Sequence, residues 1–289
     1  MSAKTNDLKK RRVGTVKEVT SLANPIVKDI KSLAQKKNRD GSNRFIAEGL
    51  KLIVDAIDLG WDIETLIYAK SVADKPLIQK KAAQVVANSG LVLEVSEKVL
   101  TSITRKDNPQ MVVGVFSQKF TPIEDIKPQP DETYIALDRV RDPGNLGTII
   151  RTADAAGISG IILVGATTDP FSIEAVRATM GSVFSLPISR VSIDEFISWK
   201  DRHDISIIGS HLKGSKDYRA IDYKTKPCIL LMGNEQAGLP EELSSTCDAL
   251  ARIPQVGDAD SLNLAIATGL MIYEARRHLL ELDLLEPVK

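Results

Sequence analysis

The residues that could carry chemistry fall in three clusters, each beside an apolar run in the C-terminal half of the chain. The first is DPGNLGTIIRTADAAG (142–157), which places Asn145 and a lone arginine, Arg151, between two stretches predicted as strands. The second is LLMGNEQAGLP (230–240), and the third is RIPQVGDADSLNLAIATGLMIYEARR (252–277). Open α/β sheets bind their ligands at the carboxyl ends of the strands. The clusters are therefore candidates for a ligand site at that edge.

These clusters also have structural interpretations. The first has the form G-x-x-G and lacks the glycine that lets backbone approach a pyrophosphate, so Gly144 can serve the turn and Arg151 can be an exposed helix residue. Asp169 could fill the ribose-binding position of an NAD-dependent dehydrogenase. Ser261 is placed to be the N-cap of the last long helix. Asn263 has no such structural role to fill, which favours a functional one.

Two alternating α/β patterns position the clusters. From residue 45 to about residue 117 short apolar strands alternate with helices, and from residue 134 onward the strands become more apolar. Near-continuous apolar strands separated by helices indicate a mainly parallel sheet covered on both faces. A length of 289 residues favours two domains. We therefore predict an α/β protein with the following divisions: a basic tail at 1–14, an N-terminal domain at 15–118, a linker at 119–132 and a C-terminal domain at 133–289.

The composition is that of an ordinary globular protein, with 43% hydrophobic and 26% charged residues. No apolar run reaches the roughly 18–20 residues that span a bilayer, and the N-terminus lacks the apolar core of a secretory signal. Cys228 and Cys247 are too far apart for a metal cluster, and His203, His211 and His278 show no ligand spacing. We expect a cytoplasmic protein with no metal and no membrane contact.

The charge is unevenly distributed although the net charge is zero. Residues 1–44 contain twelve Lys or Arg and four Asp or Glu, a net charge of +8, so residues 45–289 carry −8. A basic leading segment on an acidic body predicts contact with a phosphate backbone, and a solvated tail is the alternative for residues 1–14. The helical spacing of the apolar residues in 26–33 places the later charges on a folded element.

The three clusters, in this order and at these spacings, resemble the three sequence motifs of the SpoU (TrmH-like) family of RNA ribose 2′-O-methyltransferases in the SPOUT superfamily. The segment AVRATMGSVFSLPI (175–188) also resembles a family segment between the first two motifs. The stretches NRFIAEGLKLIVDAI (43–57) and NPQMVVGVFS (108–117) resemble the L30e-like substrate-binding domain of many members. Met111 stands where the family often has Gly or Ala.

The resemblance implies a C-terminal trefoil knot, which periodicity could not predict, together with a homodimer and S-adenosylmethionine as cofactor. It implies methyl transfer to a ribose 2′-hydroxyl of RNA. The family positions assign catalysis to Asn145, Arg151, Glu235, Ser261 and Asn263. They assign cofactor binding to Leu212, Gly233, Asn234, Ile253 and Leu262.

The resemblance also implies that Arg151 faces the reacting ribose and that Asn145 positions Arg151 or the ribose. An arginine is normally fully protonated, so a role as general base is physically awkward. We expect Arg151 instead to clamp a neighbouring phosphate and to stabilise the developing alkoxide.

The leading domain favours ribosomal RNA as the substrate, and transfer RNA is the alternative. A catalytically silent RNA-binding protein of the same fold is a further hypothesis, but such a protein would have no chemical reason to keep the whole residue set. An NAD-dependent dehydrogenase would explain the βαβ pattern and would leave the second and third motifs unexplained.

Overall fold

The structure, a computed structural model, describes residues 14–107, 109–212, 214 and 216–281. The chain divides into two compact units between Gln118 and Lys119. Except for Gly14, the predicted tail at residues 1–14 lies outside the described residues.

The N-terminal unit is built on a five-stranded sheet flanked by helices. Its strands are β1 (Thr15–Val19), β2 (Arg44–Glu48), β3 (Ile63–Ala69), β4 (Leu91–Val95) and β5 (Val112–Ser117). Its helices are α1 (Pro25–Ser32), α2 (Lys36–Ser42), α3 (Leu50–Asp58), α4 (Pro76–Ala87) and α5 (Glu97–Thr104). The spatial order is β1-β4-β3-β5-β2, in which β5 runs antiparallel to both neighbours and the other pairs are parallel.

Two arginines of the basic leading segment make contacts within this unit. Arg39 is buried, and its Nη1 donates to the carbonyl oxygens of Leu33 and Ala34 at 2.9 Å. Arg44 forms a two-pronged ion pair with Asp29 at 3.0 and 3.1 Å. Arg39 therefore stabilises the turn after α1 and does not contribute to the predicted phosphate contact of the segment.

The C-terminal unit is built on a seven-stranded sheet whose neighbouring strands are all parallel. Its strands are β6 (Thr133–Asp138), β7 (Gly160–Val164), β8 (Ile188–Val191), β9 (Ser206–Ser210), β10 (Lys216–Asp217), β11 (Cys228–Met232) and β12 (Ala249–Arg252), in the spatial order β10-β12-β9-β11-β6-β7-β8. Its helices are α6 (Pro143–Ala155), α7 (Ile173–Ala178), α8 (Ile193–Lys200), α9 (Glu241–Ser244) and α10 (Leu264–Arg276). The predicted α/β class with a mostly parallel sheet is confirmed, and the trefoil knot stays a prediction.

The core of the C-terminal unit forms around three strands that are buried along their whole length, β6, β7 and β11. Residues 119–132, expected to be a linker, pack into this unit. Ile123 and Ile126 are buried in its core, and the indole N–H of Trp199 donates to the carbonyl oxygen of Ile126 at 3.3 Å. Since all seven strands run the same way, their carboxyl ends meet at one edge, where the loops that carry the candidate residues emerge.

Candidate active site

Three of the residues predicted to bind a cofactor lie at the carboxyl ends of three adjacent strands. Leu212 follows β9 by two residues, and Gly233 and Ile253 come directly after β11 and β12. Because these strands are neighbours in the order β12-β9-β11, the three loops leave the same edge of the sheet side by side. Leu212 is 57% exposed, and Val256 in the loop after β12 is fully exposed. Two large apolar side chains are thus exposed in loops at this edge, beside backbone that the strands hold in place.

The first motif forms the start of α6 and not a separate turn. Asp142 is the N-cap, and its carboxylate accepts from the backbone N–H of Asn145 at 2.6 Å, while Pro143 occupies the first helical position. Gly144 lies inside the first helical turn, so the alternative in which it serves a preceding turn is excluded. Gly147 has a packing role, since a Cβ there would lie 2.6 Å from the carbonyl oxygen of Ala175 in α7.

Glu235 fastens the loop after β11 to the start of α6. Its carboxylate accepts from the backbone N–H groups of Arg141 (3.3 Å) and Asp142 (3.4 Å), and from the side-chain amide of Asn145 (3.4 Å). A carboxylate is favourable here because the N-terminal end of a helix carries a partial positive charge. The second motif therefore fixes the position of the first.

Asn234 holds the same loop in shape through its side chain. Its Oδ1 accepts from the backbone N–H groups of Gln236 and Ala237 at 3.0 and 3.1 Å, and its Nδ2 donates to the carbonyl oxygen of Arg139 at 2.8 Å. Because these bonds engage both polar atoms of the amide and the residue is only 6% exposed, its side chain is a support for the loop. Its backbone N–H and carbonyl pair with the carbonyl and N–H of Gly238 at 3.2 and 3.0 Å, which closes the loop on itself.

Asn263 lies at the start of α10 and has a structural role there. It is the N-cap of α10, and its Oδ1 accepts from the backbone N–H groups of Ala265 (2.9 Å) and Ile266 (3.3 Å). The alternative in which Ser261 caps this helix is therefore excluded, and the inference that Asn263 has no capping role is wrong. Ser261 and Leu262 precede the helix, and Ser261 is exposed.

The amide of Asn263 has a second function at its other end. Its Nδ2 donates to Oδ1 of Asn145 at 3.0 Å, across 118 positions of sequence. Asn145 in turn donates to Glu235, so the three side chains form one hydrogen-bonded chain, which we call the Glu235–Asn145–Asn263 chain. It joins one residue from each of the three motifs.

Arg151 stands apart from this chain. It is exposed, and within the described residues its guanidinium makes no hydrogen bond or ion pair. Arg151 lies six positions after Asn145 on α6, about 9 Å along the axis and about 120° around it. The Asn145 side chain contacts Glu235 and Asn263, so among the described residues it does not hold Arg151 in place. The structure thus leaves Arg151 as a free cation on the helix that the chain anchors.

Sequence reasoning missed a buried ion pair at the end of β6. Asp138 is fully buried, and Arg139 binds its carboxylate through Nε and Nη2 at distances of 2.7 to 3.1 Å. These hydrogen bonds raise the pKa of Arg139. Arg139 has φ of 46°, in the left-handed region that is uncommon for a side chain of this size. The sequence carries a signal for this pair, because Asp138 is an acidic residue at the end of the apolar strand YIALD.

The dehydrogenase hypothesis required a free carboxylate at Asp169. Its Oδ1 accepts from the backbone N–H of Phe171 at 2.9 Å and lies 3.8 Å from Nη2 of Arg190, and the residue is 3% exposed. A carboxylate committed to its own loop does not bind a ribose, so this position offers no support for a nicotinamide nucleotide.

Comparison with known proteins gives two family matches in this chain. Residues 132–273 match the SpoU rRNA Methylase family, and residues 24–114 match the MRM3-like substrate binding domain. The 23S rRNA (uridine(2479)-2′-O)-methyltransferase of Streptomyces viridochromogenes is 33% identical over 85% of this chain and 86% of that protein. The 23S rRNA (guanosine(2553)-2′-O)-methyltransferase RlmP of Bacillus subtilis is 29% identical over 90% of this chain and all of that protein.

Solved structures agree with these matches. An AdoMet-bound rRNA methyltransferase from Sinorhizobium meliloti is 66% identical and superposes with a TM-score of 0.89 over 92% of this chain and 99% of that one. The SpoU methyltransferase AviRb from Streptomyces viridochromogenes in complex with AdoMet is 29% identical, with a TM-score of 0.80 over 89% of this chain and 98% of that one.

The fold and the three-motif site define a methyltransferase of the SPOUT type. The chain belongs to the SpoU rRNA methylase family, and its N-terminal unit carries a substrate-binding domain of the MRM3-like kind. The predicted family and the predicted class of enzyme are confirmed. In the described ranges no helix is long and apolar enough to cross a bilayer, and no group of three or more His, Cys, Asp or Glu is placed to hold a metal ion.

Proposed function

We propose that this protein transfers a methyl group from S-adenosylmethionine to the 2′-hydroxyl of a ribose in ribosomal RNA. The observation that carries the proposal is the Glu235–Asn145–Asn263 chain, which joins the three motifs and anchors the helix that presents the unpaired Arg151. Methyl transfer to a hydroxyl is an in-line displacement, so its rate depends on fixed geometry around the acceptor oxygen. A rigid support that presents an unpaired guanidinium suits that requirement.

S-adenosylmethionine supplies an electrophilic methyl group when it is bound. The loops after β9, β11 and β12 fit this molecule, because they combine exposed apolar side chains with backbone groups held at one sheet edge. We assign Leu212, Gly233 and Ile253 to this cofactor, with Leu262 beside them at the approach to α10. Asn234 contributes by holding its loop in shape, through the bonds that its side chain makes to backbone.

Arg151 serves the acceptor side in this proposal. Its guanidinium is permanently protonated, so it does not accept the proton of the 2′-hydroxyl. Its charge lowers the free energy of the developing alkoxide, and its two-pronged donor geometry can hold a phosphate next to the reacting ribose. Asn145, Glu235 and Asn263 act as positioning residues for the helix that carries Arg151. Ser261 lies on the loop that leads into α10 and is assigned to the shape of the site.

We also propose that the protein acts as a homodimer through α10. One side of this helix is buried against α6, while Ile266, Leu270 and Tyr273 on another side are 57%, 39% and 51% exposed. Their spacing of four and three residues makes a single apolar stripe. Light scattering of the wild-type protein at micromolar concentration should give the mass of a dimer, and Leu270→Lys should give a monomer. A wild-type monomer would contradict this part of the proposal.

Ribosomal RNA is the proposed substrate and the cytoplasm the proposed location, because the Streptomyces and Bacillus relatives described above are both 23S rRNA methyltransferases. Purified protein should be incubated with isotopically labelled S-adenosylmethionine in two separate reactions. One contains ribosomal RNA and the other contains transfer RNA. The digested RNA is then examined by mass spectrometry. We expect one 2′-O-methylated nucleoside from ribosomal RNA. Label only in transfer RNA would overturn the substrate, and a methylated base would overturn the reaction. RNA binding without any transfer would indicate a silent protein.

A further inference from the structure

A groove of about 730 Å³ lies in the N-terminal unit, away from the family motifs. It forms at the edge where the parallel neighbours β1, β4 and β3 begin, since Thr15, Leu91 and Ile63 line it. The turns that follow α3 and α4 close its sides. A volume of this size is within the range of small-molecule sites, roughly 300–1,000 Å³.

The groove has an aromatic wall. Trp61 lines it and is half-buried, with its ring held edge to face against the buried ring of Phe45 at a centroid distance of 6.0 Å. An indole that is fixed by a neighbour and partly open to a groove offers a stacking platform. Aromatic platforms of this kind bind unstacked bases of single-stranded RNA.

The polar side chains that line the groove are open to a ligand. Among the described residues, the side chains of Asp62, Gln84 and Asn88 make no hydrogen bond or ion pair. Glu64 accepts from the hydroxyl of Ser117 at 3.1 Å and lies 3.9 Å from Nε of Arg44, which leaves part of its carboxylate open. Side-chain amides and carboxylates are the groups that read the edges of bases.

We propose that this groove binds an unpaired guanine base of the RNA substrate, a proposal that rests on the proposed function. The stacking platform accepts any base, but the two carboxylates can only accept hydrogen bonds. Guanine presents an adjacent N1–H and N2 amino group, which one carboxylate can accept together. Uracil would turn carbonyl oxygens towards the same carboxylates, so it is disfavoured. Lys17 lines the same groove, and its ammonium can pair with the phosphate of the nucleotide whose base the carboxylates accept.

Tryptophan fluorescence can test the groove in the full-length protein. The chain has two tryptophans, and Trp199 is fully buried with its N–H bonded, so only Trp61 can respond to stacking. Guanosine should quench the emission with a millimolar dissociation constant and bind at least about tenfold more tightly than uridine. Trp61→Phe should abolish the quenching and serve as the baseline. Equal quenching by both nucleosides, or quenching that survives in Trp61→Phe, would overturn the proposal.

The role of the two groove carboxylates, Asp62 and Glu64, can be tested with a control variant in the same unit. Asp62→Asn combined with Glu64→Gln should remove the preference for guanosine and raise KM for ribosomal RNA several-fold with kcat unchanged. Asp55→Asn removes the charge of an exposed carboxylate on α3 outside the groove and should change neither quantity. If ribosomal RNA is methylated while the double variant Asp62→Asn with Glu64→Gln keeps the wild-type KM and the preference for guanosine, the groove proposal fails and the proposed function stands. Guanosine selectivity without any methyl transfer to ribosomal RNA would uphold the groove and overturn the proposed function.

Discussion

Asn263→Ser separates the two bonds that the Asn263 side chain makes. Serine is a good N-cap, so its hydroxyl can replace Oδ1 at the backbone N–H groups of Ala265 and Ile266. It has no amide group to replace the 3.0 Å bond to Asn145. Asn263→Ala removes both bonds.

The stability effects follow from these contacts. Loss of a cap costs about 1 kcal/mol, and loss of the second hydrogen bond costs about 1 kcal/mol. For a unit of this size about 1 kcal/mol corresponds to about 2–4 °C in Tm, so Asn263→Ala should lower Tm by about 4–8 °C and Asn263→Ser by about half as much. Because both variants release Asn145, both should lower single-turnover methyl transfer by about tenfold or more, since displacement of about 1 Å can cost about 10²-fold.

Thermal unfolding and single-turnover transfer to ribosomal RNA should be measured on the same samples. Ser192 offers a matched control, because it caps α8 through a capping box in the same unit. Ser192→Ala should lower Tm by a similar few degrees and leave methyl transfer unchanged. Wild-type transfer in Asn263→Ser would refute the reasoning, since the bond to Asn145 would then have no part in holding the site.

Arg151→Ala should lower turnover by about 10²–10³-fold. Arg151→Lys should recover little of this loss, because one ammonium cannot reproduce the two-pronged contact. The affinity for the cofactor, measured by calorimetry, should be unchanged in both variants. Full activity in the alanine variant would make Arg151 an ordinary surface residue. Gly147→Ala should destabilise the protein by about 1–3 kcal/mol because its Cβ would meet α7, whereas Gly269→Ala on α10, with its closest contact at 3.7 Å, should be neutral or stabilising in denaturant titrations. Burial raises the pKa of Cys228 to about 11 and that of Cys247 to about 12, so both thiols should resist alkylation at pH 8. Above pH 9.0, the unperturbed pKa of a thiol, the unfolded chain loses these protons while the folded protein keeps them. The free energy of unfolding should therefore fall as pH rises above 9.0. Stability that is independent of pH up to pH 11 would contradict this.

The sequence predicts best the elements that are buried along their whole length. The strands β6, β7 and β11 consist of continuous apolar residues, and the structure buries each of them completely. In contrast, β1 was not predicted, because it lies at the edge of its sheet and exposes four of its five residues. A half-exposed edge strand lacks the apolar pattern on which such a prediction depends.

The candidate site shows the same limit in its contacts. The three motifs identify Asn145, Glu235 and Asn263, but their hydrogen bonds span 90 and 118 positions of sequence and cannot be read from local spacing. A cap at Ser261 was the structural alternative to a role in the site, but the two backbone bonds to Asn263 set the actual start of the helix. A count of charges also does not show which of them are buried, and Arg39, one of the twelve basic residues in 1–44, is buried against backbone carbonyls.

The most direct test of the central claim is a map of 2′-O-methylated positions in ribosomal RNA from cells that lack this protein. We expect one position to lose its methyl group, the wild-type protein to restore it, and the Arg151→Ala variant to fail to restore it at equal expression. The same map for transfer RNA should be unchanged. An unaltered ribosomal RNA map, or a loss confined to transfer RNA, would contradict the account.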